Sequence, residues 1–171
     1  MSRNNVILIG MPGAGKSTVG VILAKRLGYD FVDTDLLIQR TAGKSLQAII
    51  NEDGLEAFRQ IEEKVLLGLK VNQTVVATGG SAIYTSSAME HLKRNGTAVF
   101  INTPLQILQL RIADMTSRGM VISPGDSFAE LFIERNPLYR KFADIVVDDH
   151  DKSVEMIAGE IAGHFSAGIS M

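Results

Sequence analysis

The chain has 171 residues, 17 Lys and Arg against 19 Asp and Glu, a formal net charge of −2, and 46% apolar residues. That length and apolar content fit one domain spanning residues 1–171, and the slightly acidic balance argues against a dedicated nucleic-acid or membrane-surface binder. With no cysteine in the chain, disulfides, thiolate metal sites and cysteine nucleophiles are excluded.

Residues 1–5 run straight into the first strand, which leaves no room for a signal peptide. No apolar run approaches the roughly 20 residues of a membrane span, so a soluble cytoplasmic protein is the expectation. The first strand, Val6–Ile9, leads into Gly10-Met-Pro-Gly-Ala-Gly15-Lys16-Ser17-Thr18. This is a complete G-x-x-x-x-G-K-[ST] loop, set after a strand and before a helix, Thr18–Leu27. The N–H groups of Gly13, Ala14 and Gly15, continuing to Thr18, form a nest for phosphate oxygens at a helix N-terminus. Lys16 would reach the β- and γ-phosphates, and the Ser17 hydroxyl would ligate Mg²⁺. The motif implies that the chain binds a nucleoside triphosphate.

The second strand, Tyr29–Val32, opens onto Asp33-Thr34-Asp35. If the chain stays extended here, both carboxylates point to one side, at the sheet edge where open α/β proteins bind ligands. One can help hold Mg²⁺; the other can orient an acceptor hydroxyl or take its proton. The plainer alternative is a capping pair at the start of the next helix. Helices are predicted over Ser45–Asn51 and Leu55–Leu69. On the second, Arg59 and Glu62 are neighbours three apart, and an Arg braced by Glu suits bidentate capture of a carboxylate. A solvated surface pair is the alternative. The third strand, Thr74–Thr78, ends in Gly79-Gly80-Ser81, where paired glycines allow a ligand close to the backbone or make a tight turn.

A helix over Ser87–Arg94, a strand over Thr97–Ile101 and a helix over Pro104–Met115 follow. The stretch 114–126 has Gly, Ser and Pro without a sustained period, which in a phosphotransferase suggests a lid that excludes water. A helix over Ser127–Arg135, a strand over Asp144–Val147 and a helix over Ser153–Phe165 complete the chain. Strands alternating with helices imply an α/β fold with a parallel sheet. Arg111, Arg118 and Arg135 are candidates to meet phosphoryl charge. His91, His150 and His164 have no metal spacing.

In family order, these elements resemble shikimate kinase, a member of the nucleoside-monophosphate-kinase-like branch of P-loop proteins. The resemblance runs from about Val6 to Asp148 and rests most on Asp33-Thr-Asp35, Phe58-Arg59-x-x-Glu62, Gly79-Gly80 and Arg135-Asn-Pro-Leu-Tyr139. It implies a five-stranded parallel sheet of order 2-3-1-4-5 flanked by helices, a three-layer sandwich with a lid near 114–126 and a substrate-binding region near 34–62. It also implies phosphorylation of the 3-hydroxyl of shikimate by ATP with Mg²⁺, on the route to chorismate and aromatic amino acids, by a monomer. Lys16 would hold the transferred phosphoryl group, and Ser17 and Asp33 would serve the metal. Asp35 would engage the reacting hydroxyl, Arg59 and Arg135 would grip the carboxylate, and Gly79 and Gly80 would contact the same substrate. Arg118 would reach the phosphates and Arg111 the adenine.

Three positions depart from the family pattern. Its third glycine is Ser81, whose side chain could strain the turn or read other hydroxyls. Its lid arginine is followed by Gly119-Met-Val121 instead of Pro-Leu-Leu, and its proline near the adenine is missing from residues 148–153. Two further readings therefore stand beside the first: a kinase of the same fold for another small hydroxy acid, and a nucleotide-binding module without catalysis.

Overall fold

A computed structural model describes residues 3–113 and 127–166. Five strands, β1 (Asn5–Ile9), β2 (Asp30–Asp33), β3 (Thr74–Ala77), β4 (Gly96–Asn102) and β5 (Ile145–Asp148), form one parallel sheet in the order β2-β3-β1-β4-β5, as expected. Apolar runs without alternation fit strands covered on both faces. Val6, Ile7, Leu8 and Ile9 of the central strand are completely buried. The helices are α1 (Lys16–Leu27), α2 (Thr34–Ala42), α3 (Leu46–Gly68), α4 (Ser86–Arg94), α5 (Leu105–Ala113), α6 (Phe128–Phe142) and α7 (Val154–Ser166). Helix α1 packs on α7 and against β2 and β3, while α4 and α6 pack against β4.

Three local features differ from the sequence-based reading. Helix α2 begins directly after Asp33, so Asp33-Thr-Asp35 is not extended. Helix α6 runs through Pro137 to Phe142 instead of stopping at Arg135. Proline removes one N–H bond to the carbonyl four residues back; that residue, Ile133, is 70% exposed, so solvent can take the bond's place. A 3₁₀ turn, Ala82–Tyr84, follows the glycine pair.

Helix α3 is bent at Gly54, whose φ of 90° and ψ of 166° suit glycine almost alone. The bend lets Leu46 and Ile49 from its first part join Ile38 of α2 and Phe58 of its second part in a small separate core. That core carries the segment holding Arg59 and Glu62.

Candidate active site

The loop between β1 and α1 bends through Gly13 and Gly15 at φ 85° and 84°, a left-handed conformation that costs glycine little. No side chain caps the first turn of α1, so its N–H groups remain available to an anion. Lys16 is 8% exposed, and its Nζ donates to the carbonyls of Gly10 at 2.7 Å and Met11 at 2.8 Å. Burial lowers its pKa to about 8, with Asp35 and Asp33 opposing that shift and Arg135 adding to it. Ser17 Oγ donates to Asp33 Oδ2 at 2.6 Å.

Asp33 is the N-cap of α2: its Oδ1 accepts from the backbone N–H of Asp35 at 2.9 Å and of Leu36 at 3.4 Å. The capping alternative therefore describes the local conformation. The argument from an extended segment is corrected, because the helix begins at Thr34. Capping occupies one oxygen and leaves the other facing Ser17, so cap and ligand roles are compatible. Asp35, in the first turn, has its pKa raised by burial and by the Asp33 charge, against the pull of Lys16. The two carboxylates line the same cavity.

Gly79 and Gly80 allow these groups to converge. A Cβ on Gly79 would lie 2.8 Å from Asp35 Oδ1 and 3.1 Å from Glu62 Oε1, and one on Gly80 would lie 2.8 Å from Pro12 Cδ and 3.0 Å from Arg135 Nη1. Ser81, by contrast, sits at φ −90° and ψ −5°, where a side chain causes no backbone strain. Its buried hydroxyl donates to Glu62 Oε2 at 2.7 Å. Burial raises the pKa of Glu62 to about 7, opposed by the Ser81 hydrogen bond.

The expected brace of Arg59 by Glu62 is not built as an ion pair. Glu62 turns to Ser81, and the Arg59 guanidinium lies over the ring of Tyr84, 5.1 Å from its centroid. Arg135 is buried and lines the cavity, and its Nε donates to Tyr84 Oη at 3.2 Å. Arg59 itself is not part of the cavity wall. Tyr139 Oη donates to the Gly80 carbonyl at 2.6 Å, which pins the glycine turn to α6.

At the far end of the site, Arg111 Nη1 donates to Asp149 Oδ2 at 2.8 Å and to the Gly13 carbonyl at 3.2 Å. Asp149 is 1% exposed and also accepts from Thr103 Oγ1 at 3.0 Å. A cavity of about 870 Å³ runs from Arg111 and Asp149 along the phosphate loop, including Ala14 and Thr18, to Asp35, Gly79, Gly80 and Arg135. Arg118 and the expected lid, 114–126, lie outside the described residues.

Sequence reasoning missed Tyr84, Asp149 and Thr103. Asp149 carried a signal, an acidic pair directly after the last strand. Tyr84 carried none, because an isolated tyrosine in an apolar stretch reads as core.

Comparison with known proteins follows the same lines. The family model for shikimate kinase matches residues 12–165. The shikimate kinase of Microcystis aeruginosa is 41% identical over 158 residues, covering 90% of this chain and 82% of that protein. The shikimate kinase of Caldanaerobacter subterraneus is 34% identical, covering 92% and 93%. Among solved structures, the shikimate kinase of Acinetobacter baumannii in complex with shikimate superposes with a TM-score of 0.88 at 32% identity, covering 98% and 96%. That of Aquifex aeolicus gives 0.78 at 34% identity, covering 95% and 96%.

Proposed function

The chain belongs to the shikimate kinase family, and from that premise we propose that it transfers the terminal phosphoryl group of ATP to the 3-hydroxyl of shikimate, giving shikimate 3-phosphate and ADP. The observation that carries this reading is the single cavity. It joins a phosphate loop with its lysine to an acceptor end built from a buried arginine, a carboxylate and two glycines that line the cavity.

Lys16 and the α1 N-terminus hold the transferring phosphoryl charge, and catalysis comes mainly from positioning and charge neutralisation. Asp35 accepts the hydrogen bond of the 3-hydroxyl and takes its proton as the new O–P bond forms and the bond to the ADP oxygen breaks. Its raised pKa makes it a better base than an ordinary carboxylate. Arg135, with Arg59 behind it, grips the acceptor carboxylate, and Gly79 and Gly80 offer backbone to the ring. Arg111 faces the base of the nucleotide, and Arg118 is assigned to the phosphates.

Mg²⁺ suits the hard oxygens of Ser17 Oγ and Asp33 Oδ2, which already lie 2.6 Å apart. One or two protein oxygens completed by phosphates and water is the donor set that ion favours. When bound, it neutralises phosphate charge. We further propose one kinase domain over residues 1–171, acceptor side near 34–62 and lid near 114–126, acting as a cytoplasmic monomer on the route to chorismate and aromatic amino acids.

Ser81 does not donate to an acceptor hydroxyl in this arrangement, because its proton is committed to Glu62, so it gives no ground for preferring another hydroxy acid. The test is ADP release from Mg·ATP with shikimate, against quinate, gluconate and homoserine as controls. Turnover that depends on shikimate and falls by about 10³-fold or more in Lys16→Ala and Asp35→Ala is expected. Turnover only with another acceptor would favour the second kinase reading. Nucleotide binding without transfer to any acceptor would favour the non-catalytic module.

A further inference from the structure

We infer that Tyr84 is a positioning residue for the acceptor: its ring and hydroxyl hold Arg59 as a pair with, and behind, the cavity-lining Arg135, so that two like charges act on one carboxylate. The inference rests on the reading of the acceptor end given above. Tyr84 closes the 3₁₀ turn that follows Gly79-Gly80-Ser81. The Arg59 and Arg135 guanidinium carbons lie over its ring, 5.1 and 5.2 Å from the centroid. Both distances are within the roughly 6 Å over which a ring face attracts a cation.

The hydroxyl is committed in both directions. It accepts from Arg135 Nε at 3.2 Å and donates to Glu134 Oε1. Tyr84 is therefore fixed at its ring and at its tip.

The two arginines come from α3 and α6, and nothing within either helix sets the distance between their guanidinium groups. Left alone, the like charges would move apart into solvent. Glu62 makes no ion pair with Arg59 among the described residues: Ser81 holds one carboxylate oxygen, and the carboxylate acts on both arginines only through space. Arg59 Nε is buried with no hydrogen-bond partner among the described residues, so the ring is the contact that orients this guanidinium. On Arg135, the bond to Tyr84 uses Nε, and Nη1 lies at the Gly80 side of the cavity. Tyr84 thus offsets the repulsion before any acceptor arrives, and the arginines need little reordering to meet a carboxylate.

The test uses the full chain with Tyr84→Phe and Tyr84→Leu, measuring kcat and KM for shikimate and for its uncharged methyl ester, KM for ATP, and thermal melting. Tyr84→Leu should raise the shikimate KM about tenfold and Tyr84→Phe about threefold, with kcat and the ATP KM within about twofold of the parent. Preference for shikimate over the ester, as a ratio of kcat/KM values, should fall from parent to Phe to Leu, because the ester lacks the charge that the arginines meet. A tyrosine serving packing alone would weaken both acceptors equally, and an unchanged ratio in both variants overturns the inference. Tyr84→Phe keeps the ring and so keeps the test decisive if Tyr84→Leu does not fold. A parent enzyme that does not turn over shikimate overturns the underlying reading and this inference with it. A parent that does, with variants of unchanged selectivity, overturns this inference alone.

Discussion

Lys16 is the residue on which nucleotide binding turns. Its ammonium is buried, held by two backbone carbonyls and titrates at about 8 in the free protein. Because burial lowers this pKa, the protonated form is complete well below pH 8 and is lost as pH rises through it. Phosphate oxygens favour the protonated form, so binding ATP above that pH requires proton uptake. The KM for ATP should be flat below about pH 7.5 and rise above about pH 8, approaching tenfold per unit. Steady-state kinetics across that pH range would check it. A flat profile to about pH 9.5 would show that Lys16 is not the titrating cation. The aspartates teach a different lesson at the same scale. Asp33 proved to be a helix cap with one oxygen still turned to Ser17, so a structural and a ligand-binding role occupy the two oxygens of one carboxylate.

Helix α3 decides where the acceptor end points. Its bend at Gly54 lets the first part pack on α2 while the second carries Arg59 and Glu62 inward. An alanine Cβ at Gly54 would meet no atom within 4 Å, so its cost comes from the backbone conformation alone. Gly54→Ala should lower stability by about 1–3 kcal/mol. Relaxation toward a straighter helix would also turn Arg59 off Tyr84, raising the acceptor KM more than the ATP KM. Urea unfolding with kinetics for both substrates would check this. Unchanged stability would show that the bend is not strained for alanine. The kink was legible as a boundary between two predicted helices, because glycine interrupts the apolar spacing. Helix α2 was not, since its N-terminal Asp-Thr-Asp reads equally well as the end of a strand.

Across the whole molecule, the site opens where the chain changes direction in the sheet. The loops after β1 and β3, neighbours in the sheet, lead to opposite sides and leave a crevice at their C-terminal ends. The cavity is lined by residues of α1, α2, the β3 turn and α6, so ligands should tie these elements together. At about 100 times its dissociation constant, a ligand adds about 2.7 kcal/mol. For a chain of this size that is roughly 5–10 °C in Tm. Mg·ATP and shikimate should each produce such a shift, with Lys16→Ala losing mainly the first and Arg135→Ala mainly the second. Thermal melting of both variants with each ligand would check this, and loss of both shifts in either variant would contradict two separable ends.

The sequence by itself determined the strand and helix alternation, the phosphate loop and most groups of the cavity. Those signals are local: glycines at fixed spacing, apolar runs and short polar motifs at strand ends. The resemblance carried by those motifs in order supplied the strand order and the acceptor class. Only the tertiary structure decided that Glu62 is held by Ser81, that Tyr84 pairs the two arginines and that Asp149 anchors Arg111. Each of these contacts joins residues from 19 to 51 positions apart. Side-chain partners across such separations are set by how helices pack on the sheet, and no spacing along the chain encodes them.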